Sequence, residues 1–337
     1  MARALIIGLA GPSFSPQELE YCRTIDPWGL ILFLRNIVDP QQVRDLTSAF
    51  RAAVGRSDAP VLVDQEGGRV QRLTEPHWPR YPSGEVYSRI AHIDLYSGEK
   101  AAYLGGYLIG LDLFSVGITV DCLPVLDIPV PGAHDIIGDR AYGKNADQVA
   151  LLGRAAARGL QASGVIPIMK HIPGHGRAGV DSHFDLPVVD APLSDLETDF
   201  APFKANADLP MAMTAHVVYT ALDPDHPATT SKTVIRDIIR TKIGFDGLLM
   251  GDDVSMEALK GPIAERAQAS LAAGCDVVLH CNGHFDEMQA LASVVPDLAG
   301  KSLERAKKAL SVAKTSYPQP DPVDARAEFA SLLALAG

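Results

Sequence analysis

Residues 165–187 read VIPIMKHIPGHGRAGVDSHFDLP, and this stretch joins a short apolar run to a loop of unusual composition. The apolar run, VIPIMK at 165–170, has the length and character of a buried strand. The segment from Lys170 to Pro187 then contains one lysine, three histidines and two aspartates, together with three glycines and two prolines. A strand that leads directly into titratable side chains is typical of proteins whose functional residues lie on loops held by a rigid scaffold.

Seven further apolar runs resemble the one at 165–170, and segments with helical periodicity separate them. The eight runs are ALIIGL (4–9), GLILFL (29–34), PVLVD (60–64), ITVDCL (118–123), VIPIMK (165–170), LPMAMTAH (209–216), GLLMGD (247–252) and CDVVLH (275–280). Helical patterns cover 40–53, 99–117, 146–164, 233–244 and 262–274. Eight apolar strands that alternate with helices favour a parallel (β/α)8 TIM-like barrel.

The whole chain, 1–337, is therefore predicted to form one α/β barrel domain. The pattern at 301–314 predicts a helix, SYPQPDPVD breaks it, and EFASLLALA predicts a final helix, so helices from about residue 301 should pack on the barrel. An open dinucleotide-binding sheet has less support, because GLAGPS after the first run does not match G-x-G-x-x-G.

Composition excludes several classes of partner. The chain of 337 residues carries a net charge of -11 with only 30 lysines and arginines, which argues against a general nucleic-acid or anionic-membrane surface. No apolar run approaches the roughly 20 residues that a membrane-spanning helix needs. Four cysteines without C-x-x-C spacing are typical of buried thiols in a reducing compartment. The segment MARALIIGLAGPSFS resembles a short signal peptide but lacks an A-x-A cleavage site, so a cytoplasmic protein is expected. A monomer is the default expectation for its oligomeric state.

Polar residues cluster where the predicted strands end, which is where a barrel carries its functional groups. They are Asp64, Arg69 and Arg72 after the third run, Arg140 in the segment after the fourth, Lys170 and His171 at the fifth, His216 at the sixth, and Asp252 and Asp253 at the seventh. Each has a structural alternative: Asp64 and Glu66 suit turns, Arg69 suits an ion pair, and His216 suits a hydrogen-bonded core histidine. Their common position at the ends of several elements favours a site.

A metal-dependent hydrolase is one alternative, because His171, His175, His183, Asp181 and Asp252 form an adequate ligand set. Against it, the sequence has no H-E-x-x-H, and Lys170 would place a cation beside the metal. A sugar-binding protein without catalysis is a further alternative, although it would leave the combination of Asp252 with His183 unexplained.

The motifs KHIPGHGRAGVDSHFDLP, VDQEGGRVQRL, GDR, MTAHVVYTALD and GFDGLLMGDDVSMEAL together resemble the β-N-acetylhexosaminidases of glycoside hydrolase family 3, in particular the single-domain bacterial type. The resemblance extends over about residues 25–285 in consistent order. It implies a retaining glycosidase with an aspartate nucleophile at the seventh strand, which corresponds to Asp252. Gly251 departs from the family pattern, which has serine there, and Asp253 is the competing assignment.

The resemblance also implies that His183 is the acid/base, paired with Asp181 two positions earlier. Residues i and i+2 of an extended segment point the same way, so Asp181 can fix the tautomer of the imidazole and stabilise its protonated form. By the same resemblance Asp64, Arg72, Arg140, Lys170 and His171 bind the hydroxyls of N-acetylglucosamine, and His175 is structural. The glycines of the loop would let it close over bound sugar.

The substrate implied by the family is a terminal β-linked N-acetylglucosamine, in bacteria typically on muropeptide fragments from cell-wall recycling. Such fragments are cytoplasmic, and the chemistry requires no metal and no cofactor. A phosphorylase that uses the same residues with phosphate as acceptor is the nearest alternative, because a histidine acid/base repels phosphate less than a glutamate would.

Overall fold

The fold is a closed parallel barrel, seen in a computed structural model that describes residues 1–182, 185–312 and 319–337. Its eight strands are β1 (Arg3–Ile7), β2 (Pro27–Leu32), β3 (Val61–Val63), β4 (Val120–Asp121), β5 (Ile166–Ile172), β6 (Met211–Thr214), β7 (Leu248–Met250) and β8 (Val278–His280). They follow one another in chain order around the sheet, and β8 pairs in parallel with β1. A single parallel bridge, Met250 to Val277, closes the barrel between β7 and β8. The predicted (β/α)8 barrel is confirmed.

Helices cover the outside of the barrel. They are α1 (Pro16–Ile25), α2 (Pro40–Val54), α3 (Gly84–Ile93), α4 (Leu95–Ser115), α5 (Ala146–Ala162), α6 (Leu193–Ala205), a π-helix (Val234–Lys242), α7 (Ile263–Ala273), α8 (Phe285–Val294), α9 (Gly300–Val312) and α10 (Pro322–Leu333). The predicted helical segments are all present, and the boundaries of most are shifted by up to four residues. The final helix differs more, since it begins at Pro322, six residues before the predicted EFASLLALA and inside the segment that was predicted to break the helix.

Four of these helices, α1, α3, α6 and α8, have no counterpart in the sequence prediction. For α1 a readable signal was available, since Ser15 and Glu18 form a reciprocal capping box at its start. Helix α6 carries an internal proline, Pro202, which weakens its pattern. The other two are ten residues long, and short helices gain most of their stability from packing rather than from local preference.

The barrel strands are buried on both faces. All six residues of β2 and all seven of β5 are buried, and the tightly packed side chains belong to one hydrophobic cluster that extends from the barrel interior to the inner faces of the helices. Burial on both faces explains the continuous apolar runs in the sequence, as opposed to alternating ones.

The C-terminal helix α10 packs on the long helix α4. Phe329 lies against the rings of Tyr81 and Tyr87, with ring centroids 6.5 and 6.4 Å away, and Arg326 forms an ion pair of 3.1 Å with Asp112 of α4. Within the described residues, no helix is long and apolar enough to span a bilayer.

Candidate active site

The carboxyl ends of the eight strands surround a cavity of about 380 Å³. Polar side chains from the ends of β3, β5, β7 and β8 and from the segment after β4 line it, together with apolar side chains. The lining residues include Asp64, Glu66, Arg72, Arg140, Lys170, His171, His175, Ser182, Asp252 and Asp253, with Ile31, Val70, Met213, Met256 and Leu279 among the apolar ones. The structure therefore brings together Asp252 and all five residues that the sequence assigns to substrate binding.

Lys170 is the centre of a buried charge cluster. Its side chain is only 2% exposed, and Nζ lies 2.8 Å from Oδ1 of Asp64 and 2.6 Å from Oε1 of Glu66. Burial of an ammonium group is unfavourable unless carboxylates compensate it, and here two do so. Burial opposes the charged form, but Asp64 and Glu66 together raise the pKa of Lys170 above its usual range.

Arg140 completes this cluster through Glu66. Its Nε and Nη2 each donate to one oxygen of Glu66 at 2.8 Å, in a bidentate pair. Burial would raise the pKa of Glu66, but Arg140 and Lys170 lower it to about 2. The carboxylate of Glu66 is therefore ionised at neutral pH and holds two cations at the cavity wall.

A tight hairpin brings Arg72 back to the strand end. Strands Gln65–Gly67 and Val70–Gln71 pair antiparallel, and the turn between them uses Gly67 and Gly68 at φ of +91° and +57°. A side chain at either position would be strained. The turn places Arg72 with Nη2 3.3 Å from Oδ2 of Asp64. Burial opposes ionisation of Asp64, but Lys170 and Arg72 hold the pKa of that carboxyl well below its usual range.

Asp127 orients His171 from below the cavity. The carboxylate is fully buried and accepts from Nδ1 of His171 at 2.7 Å and from the backbone N–H of His175 at 2.7 Å. Burial opposes its charge, but His171 lowers the pKa of Asp127. With Nδ1 held in this way, Nε2 is the ring nitrogen of His171 that is left for the cavity. Sequence reasoning missed Asp127, although an aspartate within the apolar stretch PVLDIP is itself a signal of a buried acceptor.

The loop after β5 is fixed at its base. At Gly176 an added Cβ would lie 1.8 Å from the carbonyl oxygen of Ile128, so only glycine fits there, whereas Gly179 faces open space. His175 is buried, with Nε2 3.3 Å from Oγ of Ser182. Burial and then the nearby His171 lower the pKa of His175 to about 4, so this ring is neutral at physiological pH.

Asp252 follows β7 and lies at the cavity wall, partly buried. Its Oδ1 accepts from the backbone N–H of Asp253 at 2.8 Å. The side chain of Asp253 accepts from Ser255 and from the backbone N–H of Cys281, which links the β7 loop to the end of β8. These hydrogen bonds hold the side chain of Asp253 between the two loops. Asp181 is among the residues that the structure describes and precedes Ser182 in the chain, whereas His183 lies outside the described residues.

Two candidates from the strand ends, Arg69 and His216, form the structural contacts that were their alternative interpretation. Arg69 pairs with Asp139 at 2.9 Å at the surface, and His216 is fully buried with two hydrogen bonds. In residues 1–182, 185–312 and 319–337 no group of three or more histidine, cysteine or acidic side chains could hold a metal ion. A larger groove of about 760 Å³ is lined by residues of α3, of the segment 129–145 and of the start of α5, and none of Asp64, Glu66, Arg140 and Lys170 lines it.

Comparison with known proteins defines the class. Residues 25–312 match the glycosyl hydrolase family 3 N-terminal domain. Two curated relatives named β-hexosaminidase are those of Alkalilimnicola ehrlichii, 38% identical over 87% of this chain and 84% of that protein, and Bordetella parapertussis, 36% identical over 89% and 82%. The crystal structure of NagZ from Neisseria gonorrhoeae in complex with N-trifluoroacetyl-D-glucosamine superposes with a TM-score of 0.88 and 32% identity, covering 100% of this chain and 98% of that one.

The strand-end site in a closed barrel and these similarities define a glycoside hydrolase. The chain belongs to glycoside hydrolase family 3, among the β-N-acetylhexosaminidases.

Proposed function

We propose that this enzyme removes terminal β-linked N-acetylglucosamine with retention of configuration, through a glycosyl-enzyme formed on Asp252. The observation that carries the proposal is the position of Asp252 in the same cavity as the charge cluster of Asp64, Glu66, Arg140 and Lys170. That cluster combines acceptors and charged donors in fixed geometry, as sugar hydroxyls require. The complex of the similar NagZ with an N-acylated glucosamine supports the choice of sugar.

The charge balance of the cavity suits a carboxylate nucleophile. Arg72, Arg140 and Lys170 supply three positive charges, whereas Asp64 and Glu66 supply two negative ones. An ionised Asp252 makes the set neutral, and the developing positive charge on the sugar ring would lie next to that carboxylate.

In the first step a carboxylate oxygen of Asp252 bonds to the anomeric carbon while the bond to the leaving oxygen breaks. The leaving oxygen takes a proton from the acid, which we assign to His183 with Asp181 as its partner. In the second step the same residue removes a proton from water, and the water oxygen displaces Asp252. The products are N-acetylglucosamine and the free alcohol.

We place the substrate among muropeptide fragments of the cytoplasm and expect a monomer that uses no metal or cofactor. Water is the proposed acceptor. An assay of the released sugar with and without phosphate distinguishes the two acceptors, since a phosphorylase would release the 1-phosphate.

The nucleophile is tested with Asp252→Ala, which should lower kcat on the order of 10⁴-fold or more, because the covalent route is lost. A fluorinated glycosyl donor that slows the second step should accumulate on the wild-type enzyme, and peptide mapping should locate the label on Asp252. Asp253→Asn serves as the matched control, since it retains an oxygen acceptor for the N–H of Cys281. Label on Asp253 would move the nucleophile by one residue, and labelling of no residue would contradict the covalent route.

A further inference from the structure

Three buried side chains behind Asp252 form a continuous chain of hydrogen bonds. Thr214, His216 and Thr229 are each fully buried. Oγ1 of Thr214 lies 2.7 Å from Oγ1 of Thr229, which lies 2.7 Å from Nδ1 of His216. Nε2 of His216 lies 3.0 Å from the backbone carbonyl oxygen of Asp253. The chain therefore begins at the end of β6 and terminates on the residue after the proposed nucleophile.

The direction of these hydrogen bonds follows from the last acceptor of the chain, the carbonyl oxygen of Asp253. A carbonyl oxygen only accepts, so Nε2 of His216 carries a proton and donates it to Asp253. In the neutral ring Nδ1 is then an acceptor, and the hydroxyl of Thr229 donates to it. That hydroxyl has a single proton, so Thr214 must donate to Thr229 in turn. The hydroxyl of Thr229 also lies 3.2 Å from the backbone carbonyl oxygen of Ala215, a second acceptor, but Nδ1 of His216 at 2.7 Å is the nearer one and is taken as the acceptor of its proton.

The contact to Asp253 acts on Asp252. The backbone N–H of Asp253 donates to Oδ1 of Asp252 at 2.8 Å, so the orientation of Asp253 affects the orientation of the Asp252 carboxylate. His216 holds the carbonyl of that same residue, while the N–H of Cys281 holds its side chain at 3.1 Å. Asp253 is thus fixed at three points.

Thr229 also limits the residue before the nucleophile. A Cβ added at Gly251 would lie 2.9 Å from Cγ2 of Thr229 and 3.2 Å from Oγ of Ser270. The methyl group of Thr229 therefore packs against the backbone at Gly251, and its hydroxyl orients His216. The methyl group of Thr229 thus contacts the residue before Asp252, and its hydroxyl acts through His216 on the residue after Asp252.

We propose that Thr229 and His216 are positioning residues that hold the segment 251–253 so that the Asp252 carboxylate is aimed at the anomeric carbon. The inference rests on the proposed role of Asp252, and it assigns to the buried threonine–histidine chain a function beyond core packing. A rigid, pre-set nucleophile lowers the cost of orienting the reacting groups.

The ring nitrogens of His216 provide a direct test in the unmodified protein. With ¹⁵N-labelled histidine, the His216 spectrum should show a protonated Nε2 and an unprotonated Nδ1 that accepts a hydrogen bond. Thr229→Val should move the Nδ1 resonance downfield, toward that of a nitrogen without a donor, and Thr229→Ser should restore it. A wild-type ring with its proton on Nδ1, or on both nitrogens, would overturn the proposal without any variant.

Kinetics test the consequence for the nucleophile. Thr229→Val should lower kcat about tenfold, which corresponds to one buried hydrogen bond of about 1.4 kcal/mol, with KM little changed. The rate of labelling by the fluorinated donor should fall in proportion. Thr229→Ser, which retains the hydroxyl, should recover most of the loss. Thr230→Val is the matched control, because its hydroxyl contacts only the nearby carbonyl of Pro227 at 3.4 Å among the described contacts.

A Thr229→Val enzyme with wild-type kcat and labelling rate would overturn the positioning role. Parallel measurement of Asp252→Ala separates this failure from failure of the proposed function. If Asp252→Ala remains active, the nucleophile is wrong; if it is inactive while Thr229→Val is normal, only the positioning chain is wrong.

Discussion

Single residues in this site owe their charge to their neighbours. Asp64 and Glu66 are ionised because Lys170, Arg72 and Arg140 surround them. Asp121, fully buried at the end of β4, has a different environment: its Oδ1 accepts from the N–H of Gln65 at 2.9 Å, and its Oδ2 has no hydrogen-bond partner among the described residues. Burial raises the pKa of Asp121 well above 3.8 despite the nearby Lys170. Burial therefore shifts the pKa of Asp121 in the direction opposite to the shifts of the nearby Asp64 and Glu66.

Asp121→Asn tests this assignment through stability. Below pH 3.8 the carboxyl group of Asp121 is protonated in both the folded and the unfolded protein. As the pH rises above 3.8 the group ionises in the unfolded protein first, which stabilises the unfolded state. Wild-type stability therefore falls with pH until the pKa of the folded state is reached. The free energy of unfolding of the variant, relative to wild type, should therefore improve by about 1.4 kcal/mol per pH unit in this window. Denaturant unfolding at pH 4 and pH 7 measures the difference. A variant whose relative stability falls with pH would show that Asp121 is ionised in the fold.

Asp181→Asn tests the residue proposed to assist the acid. The amide can hold a ring orientation but cannot stabilise an imidazolium, so kcat should fall while KM changes little. The loss should be smaller for an activated aryl glycoside, whose leaving group scarcely needs protonation. Steady-state kinetics on an aryl glycoside and on a natural disaccharide measure this contrast. Equal losses on both substrates would assign Asp181 to loop structure instead.

At the scale of elements, the outer helices depend on packing more than on their own sequence. Helix α10 begins at an Asp321 cap with proline in its first turn, yet what holds it is the contact of Phe329 with the rings of Tyr81 and Tyr87. Tyr81 in turn donates to Asp112 of α4 at 2.6 Å. One aromatic side chain therefore connects the C-terminal helix to two other parts of the barrel wall.

Phe329→Ala should lower the free energy of unfolding by about 3–5 kcal/mol, the usual cost of removing a buried aromatic ring. Val323→Ala is the matched control on the same helix, since Val323 is 76% exposed and should change stability by less than about 0.5 kcal/mol. Chemical denaturation of both variants provides the comparison. A small loss for Phe329→Ala would mean that α10 contributes little to the stability of the barrel.

At the scale of the whole molecule, the closed barrel places eight strand ends around one cavity. Residues more than 180 positions apart, such as Asp64 and Asp252, thereby share a site. The described cysteines are all buried and reduced, and the fold relies on apolar packing and not on crosslinks. The chemistry proposed for this cavity uses a carboxylate and an imidazole.

We expect a chelator to leave kcat and KM unchanged, because neither proposed step requires a Lewis acid. Dialysis against EDTA followed by assay on an aryl N-acetylglucosaminide measures this, with a mock-dialysed sample as control. Activity that disappears and returns on addition of zinc would restore the metal-dependent alternative.

The sequence by itself determined the barrel and indicated where the candidate site lies. Strands buried on both faces must be continuously apolar, so eight such runs were visible locally, and the carboxyl-end rule then pointed to Asp64, Lys170, His171 and Asp252. The motifs around these residues were sufficient to indicate the family, which the comparisons confirm.

Only the tertiary structure decided which residues form hydrogen bonds and ion pairs with one another in the site. Glu66 meets Arg140 across 74 positions, Asp127 meets His171 across 44, and His216 meets Asp253 across 37. Nothing local specifies such pairs, because hydrogen-bond partners and pKa values depend on the summed burial and charge that folding brings together. Helices α3 and α8 were not predicted; each has only ten residues, and helices of that length depend mainly on the surface on which they pack.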